Sequence, residues 1–396
     1  MVMRLMLAMT IAVVAYLLIT ATGTRDYLNR PLGTDFSNVW TAGRMANEGR
    51  AALAWDWPTQ YAVQQNVHNS AHIPFYGWHY PPPFLIVASL LAQMPYLLAL
   101  IVWQVTTLGA AVATVWRIVP GRHVIFGALS APVVMICLTH GHNGFLTAAL
   151  LGGGLMCLDR RPWLAGLMIG CLIYKPQFGV VLPLVLLASG QWRAVAGACI
   201  SAVILIVITL VMWGDGVWLA FYNSLPLTQH IVIEAGNTGW AKIQTGFSAV
   251  RSWGGPVPLA YGVQAGITAV MVLGSVIATR CAAPPVRNAV VLVAALMSTP
   301  YAMDYDYTIL GMAIAFLVAD GRQRGFLPSD ITLLGAAWVV PLFARGVADA
   351  TLVPVGLLSA IVVLVLALRR MVIFDAVRLS SIRAVLANPR RTSSVS

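Results

Sequence analysis

Charge is scarce in this sequence. Only 9% of its 396 residues are Asp, Glu, Lys or Arg, while 59% are apolar; a soluble domain carries roughly 25% charged residues. No soluble core could absorb that much hydrocarbon, so a water-soluble globule is excluded. Lysine is scarcer still, with Lys175 and Lys242 the only two. Cysteine is sparse and lacks metal-type spacing: Cys137, Cys157, Cys171, Cys199 and Cys281 lie within or at the edges of apolar runs. Buried thiols are expected there, not a disulfide framework or a metal site. No internal repeat is evident, which argues against a transporter built from repeated halves.

What the chain has in abundance is long apolar runs. A membrane span takes about 20 mostly apolar residues, and such runs begin at Met6 and recur almost to Arg369. Candidate helices cover 5–22, 82–94, 97–118, 123–139, 143–158, 162–190, 194–213, 257–279, 288–300, 306–319, 329–344 and 351–368. The expectation is an all-α polytopic membrane protein of about twelve spans, between eleven and thirteen. Lys175-Pro176 interrupts 162–190, so that stretch is one span or a V of two short helices; with a V, 82–118 crosses once. The N-terminal stretch after Arg4 is read as an uncleaved first helix instead of a signal peptide.

The net charge of +11 sits in clusters between runs: Arg160 and Arg161, Arg193, Arg280 and Arg287, Arg322 and Arg324, Arg369 and Arg370. That distribution orients a membrane chain and does not build a polyanion-binding face, so no nucleic-acid partner is expected. It predicts a single domain, 1–396, in the bacterial inner membrane with both ends cytoplasmic, a basic tail over 371–396, and two long periplasmic loops, 23–81 and 214–255. Loops of that length are usually functional. A monomer is expected.

Asp35, in Gly33-Thr34-Asp35, follows the first span by about a dozen residues. Beside lipid head groups its carboxylate can serve as a general base toward a hydroxyl; alternatively it only caps a helix near Val39–Glu48. Asp26 and Asp56 are read as solvated. The loop is rich in aromatics (Trp40, Trp55, Trp57, Tyr61, Phe75, Tyr76, Trp78, His79, Tyr80), which anchor at the interface or stack on sugar rings. His140-Gly141-His142-Asn143-Gly144 breaks two apolar stretches, and such breaks are tolerated where they line a cavity. Lys175, after thirteen apolar residues and before Pro176-Gln177, is an intramembrane charge and hence a functional-site candidate. An anion such as a lipid phosphate is its natural partner, unless it snorkels to an interface. Lys242 and Arg251 are further phosphate candidates. In Tyr301-Ala302-Met303-Asp304-Tyr305-Asp306 the two carboxylates point different ways and are expected to do different jobs.

Taken in order, these pieces resemble glycosyltransferase family 87, long labelled a domain of unknown function. The resemblance runs through Asp35, His79-Tyr80-Pro81-Pro82, Gly141-His142-Asn143-Gly144, Lys175-Pro176-Gln177 and Thr299-Pro300-Tyr301 to Asp306. His142 stands where that family usually has Gln, and Tyr301 where it often has His. The resemblance implies a type C glycosyltransferase fold with loop helices after the first span. It also implies a polyprenyl-phosphate sugar donor, mannose foremost, and a lipid or glycan acceptor at the periplasmic face. Asp35 would be the base of an inverting transfer. Lys175, Lys242 and Arg251 would hold donor phosphate, and His79, Tyr80, His142, Asn143, Gln177, Tyr301 and Asp306 would line the substrate pocket. Neither a metal nor any other cofactor is required by a departing phosphate.

Overall fold

The computed structural model describes residues 1–375, and most of the expected basic tail, 376–396, lies outside the described residues. Apolar runs become helices because a backbone in hydrocarbon must satisfy its own polar groups. The helices are α1 (Val2–Ile19), α2 (Phe36–Asn47), α3 (Trp57–Val67), α4 (Pro83–Leu91), α5 (Tyr96–Ile118), α6 (Arg122–Leu129), α7 (Pro132–His140), α8 (Gly144–Cys157), α9 (Pro162–Gly170) and α10 (Val181–Ala188). They continue as α11 (Trp192–Trp213), α12 (Gly216–Thr228), α13 (Gly246–Ser252), α14 (Val257–Cys281), α15 (Pro284–Met297), α16 (Thr308–Arg324), α17 (Asp330–Val339), α18 (Pro341–Thr351) and α19 (Val355–Phe374).

Five of these, α1, α5, α11, α14 and α19, are individually long and apolar enough to cross a membrane. Two bent pairs, α6–α7 at 50° and α17–α18 at 67°, raise the number to seven among the described residues. Each bend has a proline at the first position of its second helix, Pro132 and Pro341, where the missing N–H breaks the hydrogen-bond ladder. The remaining apolar helices are shorter, and two of the expected spans take a different form.

The stretch 82–94 does not cross. Its α4 has nine residues, about 14 Å at 1.5 Å per residue, and lies against α2. Asn47 Nδ2 donates to the Ser89 carbonyl at 3.0 Å, and a Cβ at Gly43 would fall 2.0 Å from the Ala88 carbonyl oxygen. The stretch 162–190 is the V. Gly166 lies against Ala194, and Gly170 against Ala198 and Ser201; partner numbers rise together, so α9 and α11 run parallel. Because α10 joins them, it must return toward the start of α9. Arg160, Arg161 and Arg193 therefore share one face of the protein, and Lys175 stands at the turn.

At that arginine-rich face the basic clusters are neutralised as well as placed. Arg370, fully buried, bonds Asp320 at 2.6 Å and Asp330 at 2.5 Å. Arg369 also bonds Asp330, while Arg324 bridges Asp320 and Asp375. These contacts clamp α19 to α16 and α17. Arg287 forks onto Asp159 with two bonds of 2.9 Å, the bidentate geometry that suits guanidinium to carboxylate. Cys199, expected inside, is exposed on the outer surface of α11.

Candidate active site

The opposite face carries both long loops, and the polar motifs converge beneath them. Gly33 and Gly141 bring the first two together. Both have positive φ, 66° and 64°, which glycine adopts without strain, and a Cβ on Gly141 would lie 3.1 Å from Gly33 Cα. With the two backbones this close, Asp35 N donates to the His140 carbonyl at 2.9 Å.

Asp35 occupies the position preceding α2 but makes no side-chain capping bond. Its carboxylate instead faces Lys242, Oδ2 to Nζ 3.5 Å, with both side chains slightly exposed at 13% and 12%. The capping alternative is therefore not the arrangement found. Asp56 does cap, accepting from Thr59 N at 3.0 Å. Asp26 is buried, not solvated: Oδ1 accepts from Leu28 N and Arg30 N, and Oδ2 pairs with Arg30.

Lys242 is placed by the second loop. Gln244 N donates to the Ala302 carbonyl at 3.0 Å, and Tyr307 Oη donates to the Gln244 carbonyl at 2.9 Å. The segment after Lys242 is thus laced to the late motif. Tyr305 lies at the centre, with the Lys242 and Lys175 ammoniums 5.2 and 5.5 Å from its ring centroid and the His142 ring stacked on it at 3.4 Å. Tyr80 Oη lies 3.2 Å from His142 Nε2. Asn143 is buried with both side-chain polar atoms unpartnered, as is His142 Nδ1. Buried polar groups normally find partners, so these atoms hold unspent hydrogen-bonding capacity beside Tyr305.

Several expected site residues are placed differently. Lys175 does not face a free anion, because its Nζ lies 2.6 Å from Asp306 Oδ1 and both side chains are at most 4% exposed. Asp306 Oδ2 accepts from Met303 N at 3.0 Å. An ammonium in so dry a place needs a carboxylate, and the carboxylate nine residues from the end of α15 supplies it. Arg251 is likewise committed: Nη1 donates to Gly255 O at 2.7 Å, Nη2 to Glu234 O at 3.0 Å, and the guanidinium lies over Trp240. His79 faces the second loop, Nδ1 3.1 Å from Thr228 Oγ1. Gln177 sits beside Lys175 at the turn of the V, half-buried, and Tyr301 is half-buried in the late motif. Of the loop aromatics, Trp78 and Trp55 are neither surface anchors nor a sugar platform; they are buried against Phe84, Tyr80 and Phe221.

Residues 78–300, more than half of the chain, match the model of glycosyltransferase family 87. The chain belongs to glycosyltransferase family 87. It is accordingly a membrane glycosyltransferase. No curated protein and no solved structure matches it. The family 87 match spans His79, Tyr80, the His142–Asn143 break, Lys175 and Lys242. Asp35 and Tyr301–Asp306 lie outside it, joined to it by the bonds just described.

His68 is a site-positioning residue that sequence reading missed. Buried at the C-terminal cap of α3, it lies 2.8 Å from Thr24 Oγ1 through Nδ1 and 2.8 Å from Ser37 Oγ through Nε2, so it fastens the start of the loop to α2 just beyond Asp35. Burial, with the nearby Arg25 charge second, pushes its imidazole down to about 4. The unfolded loop binds this proton near pH 6.5, so the contribution to stability is complete above that value and is lost as pH falls toward 4. Protection factors at α2 and α3, taken relative to the intrinsic exchange rate at each pH, are expected to fall from pH 6.5 to 4.5, and His68→Gln should flatten that dependence; an unaltered pH profile of protection in the variant would remove the role.

Proposed function

We propose that this enzyme moves a sugar, mannose foremost, from a polyprenyl-phosphate donor to a hydroxyl of a lipid or glycan acceptor. The loop face would look into the periplasm of a bacterial inner membrane, which follows from the arginine clusters gathered on the other face. The observation that carries the reading is the Asp35–Lys242 pair: an uncapped, slightly exposed carboxylate with a cation 3.5 Å away, beside His142 and Tyr305 in a family 87 chain.

In this mechanism Asp35 takes the acceptor proton as the hydroxyl oxygen attacks the anomeric carbon. The bond from that carbon to the phosphate oxygen breaks, the electron pair leaves on the lipid phosphate, and attack from the opposite side inverts the centre. Lys242 stabilises the departing charge. Asn143 and His142 offer hydrogen bonds to sugar hydroxyls. Lys175 acts through Asp306, holding the Tyr305 turn in place. Family 87 membership and the absence of an internal repeat favour this over a transporter.

The test is transfer by the purified full-length protein in detergent, where no compartments exist for transport to report. With a polyprenyl-phosphate sugar the expected products are free polyprenyl phosphate and an acceptor glycoside of opposite anomeric configuration by NMR. Turnover with a nucleotide sugar but not with the lipid-linked donor would sink the donor assignment, and a retained anomeric centre would sink the single-base mechanism.

A further inference from the structure

The bent pair α17–α18 carries two features that the reaction above leaves unused. Its first half walls an apolar cavity of about 980 Å³, partly open to the surface and lined also by α1, α5, α6, α7, α8 and α16. The cavity extends along α16 from Thr308, adjoining the site, to Arg322 at the arginine-rich face. Fourteen residues at 1.5 Å each make that about 21 Å, roughly two-thirds of a bilayer's hydrocarbon thickness.

Its polar lining groups are few and engaged: Thr308 Oγ1 donates to Gly144 O at 2.9 Å and Arg322 Nη1 to Pro120 O at 2.9 Å. A pocket for a polar molecule presents a few convergent polar groups that orient it. This one, apart from the Trp338 indole, offers hydrocarbon throughout, which suits a long apolar chain.

The second half presents a cation. Arg345, on α18 just past the 67° bend, is exposed and makes no hydrogen bond or ion pair among the described residues. The preceding residue fixes its place, since the Ala344 carbonyl accepts from Gln244 Nε2 at 3.4 Å. Around it α18 packs on the Trp240–Lys242 and Asp304–Tyr307 turns, and its charge reaches the buried Asp304 alongside that of Lys242. Lys175 is consumed by Asp306 and Arg251 by backbone carbonyls. Arg345 is thus a cation at the rim with its full hydrogen-bonding capacity unspent.

We infer that α17–α18 holds the lipid half of the donor, an isoprenoid chain in the cavity and its phosphate at Arg345 with Lys242. The inference rests on the donor class proposed above, and its geometry is local: the lining of the apolar volume on this bent pair stops at Val339, and the unpaired cation follows six residues on, past the bend.

Binding to the full-length protein in detergent tests it, with long-chain polyprenyl phosphate, the short-chain geranyl phosphate and phosphatidic acid as probes. Arg345→Ala should weaken both prenyl phosphates on the order of tenfold, with Arg345→Lys recovering part. Gly335 and Gly311 line the cavity, and a Cβ at either meets nothing within 4 Å, so leucine can enter without backbone strain. Gly335→Leu, and separately Gly311→Leu, should weaken the long-chain lipid at least about tenfold and leave geranyl phosphate unchanged. Long-chain affinity indifferent to both leucines, geranyl phosphate affinity indifferent to Arg345→Ala, or phosphatidic acid competing equally would each overturn the assignment. Should the variants behave as expected while the protein forms no glycoside, the lipid-phosphate site stands and the transfer reading alone falls.

Discussion

Asp35→Asn is expected to abolish turnover, by about 10²- to 10⁴-fold, the usual contribution of a positioned general base, while membrane insertion and donor binding stay at wild-type levels. The asymmetry follows from what the side chain does. It makes no helix-capping bond, and its single charged neighbour is Lys242 at 3.5 Å, so an isosteric amide leaves the backbone bond from residue 35 to the His140 carbonyl untouched. Asparagine keeps an acceptor for the acceptor's hydroxyl but cannot take its proton, so the loss should appear in kcat and not in acceptor KM. Donor affinity, measured directly, should move little. Retained turnover would rule out Asp35 as the base, and a fall in helical content or protein yield would reassign it to a structural role.

The membrane architecture was legible in the sequence because hydrocarbon solvent imposes one requirement on every residue of a span, and composition reports it directly. The late carboxylates take different partners: Asp306 pairs with Lys175, while Asp304 Oδ1 accepts from Tyr305 N. What was not legible is whether an apolar run crosses or doubles back. Residues 82–94 and 162–190 are as apolar as any span, and only their partners, α2 for the first and a parallel α11 for the second, decide the matter.

The polar motifs stood out singly in the sequence, but their pairings did not. Lys175 was marked by its isolation in apolar sequence, yet its partner lies 131 positions away, a separation no local pattern encodes. Arg251 and Arg345 look equivalent as letters. The first is spent on the carbonyls of Glu234 and Gly255, and the second, just after a proline bend, is left facing outward. His68 carried no motif, and only its two 2.8 Å contacts mark it.

Lys175 makes the second large prediction, because it stands at the turn of the V with its charge cancelled by one carboxylate. Lys175→Met leaves Asp306 buried at 1% exposure without its cation, and breaking a buried pair from one side costs about 3–5 kcal/mol. That loss should show as a large fall in thermal unfolding temperature in detergent, with turnover lost as the Tyr305 turn loosens. Asp306→Asn strands the ammonium and should cost a similar amount. The double variant Lys175→Met/Asp306→Asn removes both charges and keeps an oxygen to accept from Met303 N, as Asp306 Oδ2 does now at 3.0 Å. It should regain most of the stability, since a buried pair replaced by neutral groups of similar volume is often tolerated. Turnover then separates two roles. If the pair only holds Tyr305 under His142 and Lys242, activity returns with the fold, which is the expected result. If Lys175 also touches donor phosphate, the double variant will be stable and inactive, and phosphate binding would have to be shared between the V and α18.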